Sequence, residues 1–94
     1  MKTIKVRYWG DRPKNFTGIA IDMDGDKAWL QNGQFHRIDG PAVEWLDGEK
    51  HYYVLNQRLT KNQFQIFQFM WGTTLLEHTD ELMKIFVKLV RIQK

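Results

Sequence analysis

The chain has 94 residues, of which 43% are apolar and 14% are aromatic, and this length supports one hydrophobic core rather than two independent ones. Fourteen Lys and Arg residues outnumber eleven Asp and Glu residues, which gives a net charge of +3. Cysteine is absent, so disulfides, thiolate catalysis and cysteine-based metal sites are excluded.

The charges are unevenly distributed along the chain. Residues 1–14 carry five basic side chains and one acidic one, residues 15–56 carry three and seven, and residues 57–94 carry six and three. A nucleic-acid-binding surface is therefore expected only at the two ends. The N-terminal segment contains no apolar stretch of signal-peptide or membrane-spanning length, so we expect a cytoplasmic protein with no membrane partner.

Residues 3–9 alternate between two kinds of side chain, with the period of a half-buried strand. The alternation predicts an apolar side and a basic side, which are Ile4, Val6 and Tyr8 and, opposite them, Lys5, Arg7 and Trp9. The segment that follows, residues 11–17, contains Pro13 and is predicted to be a loop.

Two Asp-Gly dipeptides, at residues 24–25 and 47–48, each separate two strand-like runs. Asp-Gly favours a two-residue type I′ hairpin loop, because both central residues of that turn need positive φ. Asn32-Gly33 adds a third such turn, and the two Asp-Gly hairpins repeat at a spacing of 23 residues. Two-residue loops would place these groups on equivalent faces of the two hairpins: Ala20, Asp22, Lys27 and Trp29 in the first, and Val43, Trp45, Lys50 and Tyr52 in the second.

The period becomes helical after residue 59. Thr60 and Gln63 form a capping-box pattern that begins one helix, and residues 72–74 separate it from a second. The second helix is predicted to turn one stripe toward the core, namely Leu82, Ile85, Phe86, Leu89 and Val90. Met83, Val87 and Ile92 are apolar as well, so this helix is either buried on more than one side or forms a dimer or partner interface.

These elements predict an α+β fold: an antiparallel β-meander of repeated hairpins followed by two C-terminal α-helices. The meander covers residues 18–55, within a sheet that covers residues 1–59. The helical part covers residues 60–94, and the two parts are expected to form a single domain over residues 1–94.

Residues 29–50 resemble a hairpin repeat of small phage and bacterial proteins, with the pattern W-x-x-N-G-x-x-H-R-x-D-G-P-A-x-E-x-x-D-G-x-K. The pattern is similar in style to MORN-type repeats, and its most specific part here is His36, Arg37, Asp39, Gly40 and Pro41. The resemblance implies a β-hairpin scaffold in a phage or prophage setting, with no catalytic residue and no cofactor. The next Asn-Gly is replaced by Asn56-Gln57 with one residue inserted before it, so the array is expected to end there.

The motif contains side chains of the types that general acid–base catalysis uses. His36, Arg37 and Asp39 could supply a base, an anion clamp and an orienting carboxylate. We favour the alternative, in which Asp39 bonds the backbone of a turn and His36 pairs across the strand near Trp29, so no enzyme is predicted.

No metal site is predicted either. Asp22, Asp24 and Asp26 alternate like the carboxylates of a calcium loop, but Lys27 and Gly33 occupy the positions of the loop's Gly and Glu. The three histidines lack zinc-ligand spacing.

The predicted function is that of a protein–protein interaction module which binds and modulates or inhibits a bacterial host protein. The predicted binding residues are Trp29, Trp45, Tyr52, Lys5, Arg7 and Trp9. The alternative is a nucleic-acid-binding accessory protein that uses the basic N-terminal strand, with Tyr8 and Trp9 for stacking. A homodimer through the last helix is a further possibility.

Overall fold

The computed structural model describes residues 1–92 and confirms the predicted α+β fold, a mostly antiparallel sheet followed by two helices. The strands are β1 (Thr3–Lys5), β2 (Gly18–Ile21), β3 (Lys27–Gln31), β4 (Gln34–Phe35), β5 (Val43–Glu44), β6 (Lys50–Val54) and β7 (Gln57–Leu59). The helices are α1 (Lys61–Thr73) and α2 (Asp80–Ile92). Gln93 and Lys94, which the sequence assigns to the helical part, lie outside the described residues. Among residues 1–92, the helices are too short and too polar to cross a membrane.

The sheet has the strand order β1-β2-β3-β5-β6-β7, and β4 pairs with the part of β3 that β5 leaves free. From β2 onward every pairing is antiparallel, in agreement with the predicted meander. β1 is the exception, because it pairs with β2 in parallel. A parallel pairing requires the connecting chain to cross a face of the sheet.

The first predicted strand is shorter than expected. It ends at Lys5, and Trp9–Asp11 form a 3-10 helix within the connection to β2. This connection crosses the sheet, where the Trp9 ring packs against Phe35 and Trp45 with centroids 5.8 and 5.1 Å apart. The prediction that Trp9 shares a face with Lys5 is therefore wrong, since Lys5 pairs with Ile21 on the opposite face from Phe35.

Both Asp-Gly hairpins have three-residue loops instead of the predicted two. The N–H of Asp22 donates to the carbonyl of Asp26 at 3.1 Å, and the N–H of Trp45 donates to that of Glu49 at 2.9 Å. Only the glycine has positive φ in each loop, 88° at Gly25 and 97° at Gly48. A type I turn closed by a glycine is the usual geometry of a loop of this length.

The longer loops move the register by one residue and change the predicted faces. Ala20 pairs with Ala28, so it lies on the opposite face from Trp29, which pairs with Ile19. Likewise, Trp45 lies near His51, with centroids 5.8 Å apart, and not on the face of Tyr52. A shift of one residue exchanges every side chain between the two faces of a sheet, which is why the predicted face assignments fail.

The 23-residue repeat extends further than the sequence indicated. Asn32 and Gly33 have φ of 51° and 78°, and Leu55 and Asn56 have φ of 49° and 65°. Both pairs form two-residue turns, between β3 and β4 and between β6 and β7. The second turn is therefore Leu55-Asn56, with no inserted residue, and the repeat ends only where β7 leads into α1.

The helices pack on the face of β6 and β7 that carries Tyr52 and Leu59. Thr60 and Gln63 form the predicted capping box, with each side chain accepting the other residue's backbone N–H. The buried cluster beneath the helices comprises Val54, Leu59, Phe64, Phe67, Met83, Val87 and Val90. On the other face of the sheet, Trp9, Phe35, Trp45, Tyr53 and His51 form a second cluster, which we call the aromatic cluster.

The core side of α2 differs from the prediction. Met83, Val87 and Val90 are buried, with Phe86 partly buried beside them. Ile85 and Leu89, which were expected in the core, are 54% and 42% exposed. Both stripes of α2 are apolar at helical spacing, and the position of the sheet decides which one is covered.

Candidate binding surfaces

Arg37 is the central residue of the segment at residues 36–41. In the chain this segment connects β4 to β5, and in space it lies between β3 and β6. Its Nε donates to Asp39 Oδ1 at 2.9 Å, and its Nη1 donates to the Pro41 carbonyl at 3.1 Å. The guanidinium carbon lies 4.0 Å from the centroid of the Trp29 ring, a cation–π geometry. Nη1 is also 3.6 Å from Glu44 Oε2. The segment folds around this one side chain.

Asp39 does not have the predicted role of accepting backbone N–H bonds in the turn. Its carboxylate is 80% exposed and accepts the Nε–H of Arg37. Both partners of this bond are ionised, which makes it charge-assisted. Gly40 gives the arginine room, because a Cβ at this position would lie 2.9 Å from Arg37 Cζ.

His36 links the motif to the turn between β6 and β7. Its N–H donates to the Trp29 carbonyl at 3.0 Å, and its ring Nδ1 accepts the N–H of Leu55 at 2.9 Å. Burial lowers the pKa of His36 from the ordinary value of 6.5, and the negative charge of Asp80 opposes this effect. The ring is therefore neutral at pH 7 and holds Leu55, which has positive φ, in place.

The His36 bond predicts a loss of stability in mild acid. Because folding lowers the pKa of His36, the unfolded chain takes up its proton first as the pH falls below 6.5. The contribution of the neutral ring to the free energy of unfolding is complete above pH 6.5. It is lost as the pH falls toward the pKa that His36 has in the folded state. Denaturant melts at a series of pH values should show this loss in the parent and a smaller one in His36→Gln.

The exposed His78 provides a control for this experiment. The His78→Gln variant should keep the part of the pH dependence that comes from His36. Identical profiles for the parent and His36→Gln would contradict the role given to this ring.

The three residues of the disfavoured catalytic alternative, His36, Arg37 and Asp39, do not bond to one another as one group. The ring of His36 is bonded to the backbone of Leu55, whereas Arg37 and Asp39 are bonded to each other. In this arrangement the three side chains fix the course of the segment between β3 and β6.

The aromatic residues predicted to bind a partner are half-buried, and their rings contact other side chains of the chain. Trp9 and Trp45 belong to the aromatic cluster, and Tyr52 packs on Phe64 with centroids 4.8 Å apart. The Trp29 ring is covered by Arg37. The predicted basic residues Lys5 and Arg7 are exposed. The Trp9 ring packs on Phe35 instead of lying beside them.

The carboxylates of Asp22, Asp24 and Asp26 come within 4.8 Å of one another. Asp22 Oδ1 accepts the N–H groups of Asp24 and Asp26 at 2.9 and 3.0 Å. Asp26 is buried, and its Oδ1 accepts the N–H of Leu46 at 2.7 Å, which joins the loops of the two hairpins. These bonds account for two of the carboxylates as structural groups of the loops.

The two helices expose large apolar side chains, and only Ile92 among them was considered for a dimer or partner interface from the sequence. On α1 these are Ile66 and Phe69, and on α2 they are Ile85, Leu89 and Ile92; we call the five residues the apolar helical residues. Phe69 is 71% exposed and Ile92 is 70% exposed. The spacing of residues 85, 89 and 92 was a signal for this stripe, but the neighbouring core stripe has the same period.

A groove of about 760 Å³ lies between α2 and the turns that end β3 and β6. Its lining consists of Gln31, Asn32, Gln34, Leu55, Gln57, Asp80, Lys84, Val87, Lys88, Arg91 and Ile92. Sequence reasoning did not find this groove, because the two turns are 23 residues apart and meet only through the strand order of the sheet.

No protein-family model, curated protein or solved structure matches the chain.

Proposed function

We propose that the protein is an interaction module that docks a partner protein through the apolar helical residues. The observation that carries this proposal is the exposure of Phe69, Ile85 and Ile92, each more than half exposed on well-formed helices. Large apolar side chains in water are typical of protein interaction sites, and burying each one on binding stabilises the complex.

The charges beside the apolar helical residues indicate the chemistry of the partner. The first turn of α2 carries Asp80 and Glu81, and the rest of the helix carries Lys84, Lys88 and Arg91. An apolar centre with charged groups at its border is the usual anatomy of a protein–protein interface. A matching partner presents an apolar patch with basic groups toward the start of α2 and acidic groups toward its end.

The resemblance of residues 29–50 to the hairpin repeat of phage and bacterial proteins supports a particular setting for this activity. In this proposal the protein is phage-encoded, acts in the cytoplasm of the host, and binds a host protein in order to modulate or inhibit it. The hairpin sheet is the scaffold, and the helices carry the docking residues.

Replacing Leu89 or Phe69 by lysine should weaken binding to the partner about tenfold or more, because each change places a charge in the centre of the interface. Tagged protein would be used to isolate the partner from nuclease-treated bacterial lysate, and affinities would be measured with the purified partner. Gln65→Lys is the matched control, since Gln65 is an exposed polar residue on α1. Its affinity should equal that of the parent.

Two outcomes would count against this function. Equal affinity of all variants for the partner would exclude the apolar helical residues as the docking site. A parent that sediments as a dimer, and becomes monomeric on Leu89→Lys, would show that a second copy of the chain covers them instead. Of the two alternatives that the sequence left open for Met83 and Val87, burial within the chain is the one that the structure shows.

A further inference from the structure

The groove between α2 and the two turns has one strongly basic wall. Lys84, Lys88 and Arg91 are spaced at i, i+4 and i+7, so they line one side of α2 over about 10 Å. All three are exposed, and among residues 1–92 no carboxylate oxygen lies within ion-pair distance of them. Asp80 at the other end of the groove offsets only part of this positive charge.

The opposite wall is formed by amide side chains. Gln31, Asn32 and Gln34 come from β3, β4 and the turn between them, and Gln57 comes from the start of β7. Each amide offers both donors and acceptors, the pattern that recognises the edges of nucleobases. Gln57 Oε1 accepts a hydrogen bond from Arg91 Nη1, so the two walls are bridged at one point.

Apolar side chains complete the lining. Leu55, Val87 and Ile92 contribute apolar surface between the basic wall and the amide wall. In the described part of the chain no aromatic ring lines the groove, so a ligand there would be held by hydrogen bonds and charge rather than by stacking. A volume of about 760 Å³ is within the range of small-molecule sites.

We infer that this groove is a nucleotide-binding site, in which Lys84, Lys88 and Arg91 hold phosphates and the facing amides hydrogen-bond the edge of a base. The three cations span about 10 Å, which is the length of about four phosphates at 3.4 Å along the axis of a stacked strand, so each cation has a phosphate within reach. A free nucleotide and a nucleotide within a single strand present the same chemistry. Phe69 and Leu89 do not line this groove, so variants at these two positions test the proposed docking function without removing a residue of the site.

Binding of ATP and of oligo-dA to the full chain tests this inference. If three phosphates are contacted, raising the salt from 50 to 200 mM should weaken oligo-dA binding about 20-fold, and only about threefold in Lys84→Gln/Lys88→Gln. Gln34→Ala should reduce the preference for ATP over inorganic triphosphate, because it removes a base contact and no phosphate contact. Lys61→Gln, an exposed lysine on α1 outside the groove, is the control and should behave like the parent.

The outcomes show whether the ligand is a free nucleotide or a single strand, and whether it binds in the groove or on the N-terminal strand. Binding of ATP but not oligo-dA identifies a free nucleotide, and tighter binding of oligo-dA identifies a strand; both support the groove. No binding of either probe at low salt overturns the inference, and so does equal binding of ATP and inorganic triphosphate by both the parent and Gln34→Ala. A loss in Lys5→Gln/Arg7→Gln but not in Lys84→Gln/Lys88→Gln would place the site on the N-terminal strand instead.

Discussion

Gly33→Ala should lower the free energy of unfolding by about 3 kcal/mol or more, through two effects at one position. The residue has φ of 78°, where a side chain costs about 1–2 kcal/mol. In addition, a Cβ at Gly33 would lie 2.0 Å from the carbonyl oxygen of Lys14. The segment that crosses the sheet is anchored here, because the N–H of Gly33 donates to the Phe16 carbonyl and its own carbonyl accepts from Arg12 Nε.

Gly48→Ala is the matched control for this prediction. Gly48 has φ of 97°, but a Cβ there meets no atom within 4 Å, so the expected loss is limited to about 1–2 kcal/mol of backbone strain. Denaturant unfolding of the two variants measures the difference. Equal losses would mean that the crossing segment does not pack on Gly33 as described.

Phe67→Ala should destabilise the fold by about 3–5 kcal/mol, the usual cost of a large cavity. The Phe67 ring, on α1, is fully buried in the cluster beneath the helices and stacks with Phe64 and Trp71 at centroid distances of 6.5 and 5.9 Å. Phe69 lies two residues away and is 71% exposed, so Phe69→Ala should change stability by less than about 0.5 kcal/mol.

The two phenylalanine variants also separate folding from docking. Phe69→Ala should keep the parent's melting temperature and lose affinity for the partner. Phe67→Ala should instead lower the melting temperature. Thermal unfolding followed by circular dichroism, together with the binding measurement, reports both quantities. A large loss of stability in Phe69→Ala would show that this ring is packed in the folded protein and unsuited to docking.

The secondary structure of the sheet was predictable because turn chemistry is local. Asp-Gly and Asn-Gly mark the hairpins, and β3 (Lys27–Gln31) lies between the first Asp-Gly and Asn32-Gly33 as these turns require. The loop length was not predictable in this way, since Asp22 and Trp45 can each either end a strand or begin a turn. In each hairpin, the assignment of this one residue to the strand or to the turn decides which face of the sheet the following side chains occupy.

The candidate sites were less predictable than the fold, because they depend on contacts between distant segments. Ile85 and Met83 are both apolar at helical spacing, and only the placement of α2 against β6 and β7 leaves one exposed and buries the other. The groove depends on the meeting of Asn32 and Leu55 with α2. His36 illustrates the same limit, since its partner, Leu55, is 19 residues away.

The parallel strand β1 also determines how the sheet ends. It has three residues, and no strand from residues 1–92 pairs on its outer side, so it leaves an open edge where another chain could add a strand. Short length and exposed lysines discourage such addition, and Lys2 and Lys5 are both exposed at this edge. At the other end of the sheet, β7 leads through Thr60 into α1, which packs against it. The open edge at β1 thus carries positive charge, whereas at the other end of the sheet the chain continues directly into a helix that packs on the face of β6 and β7.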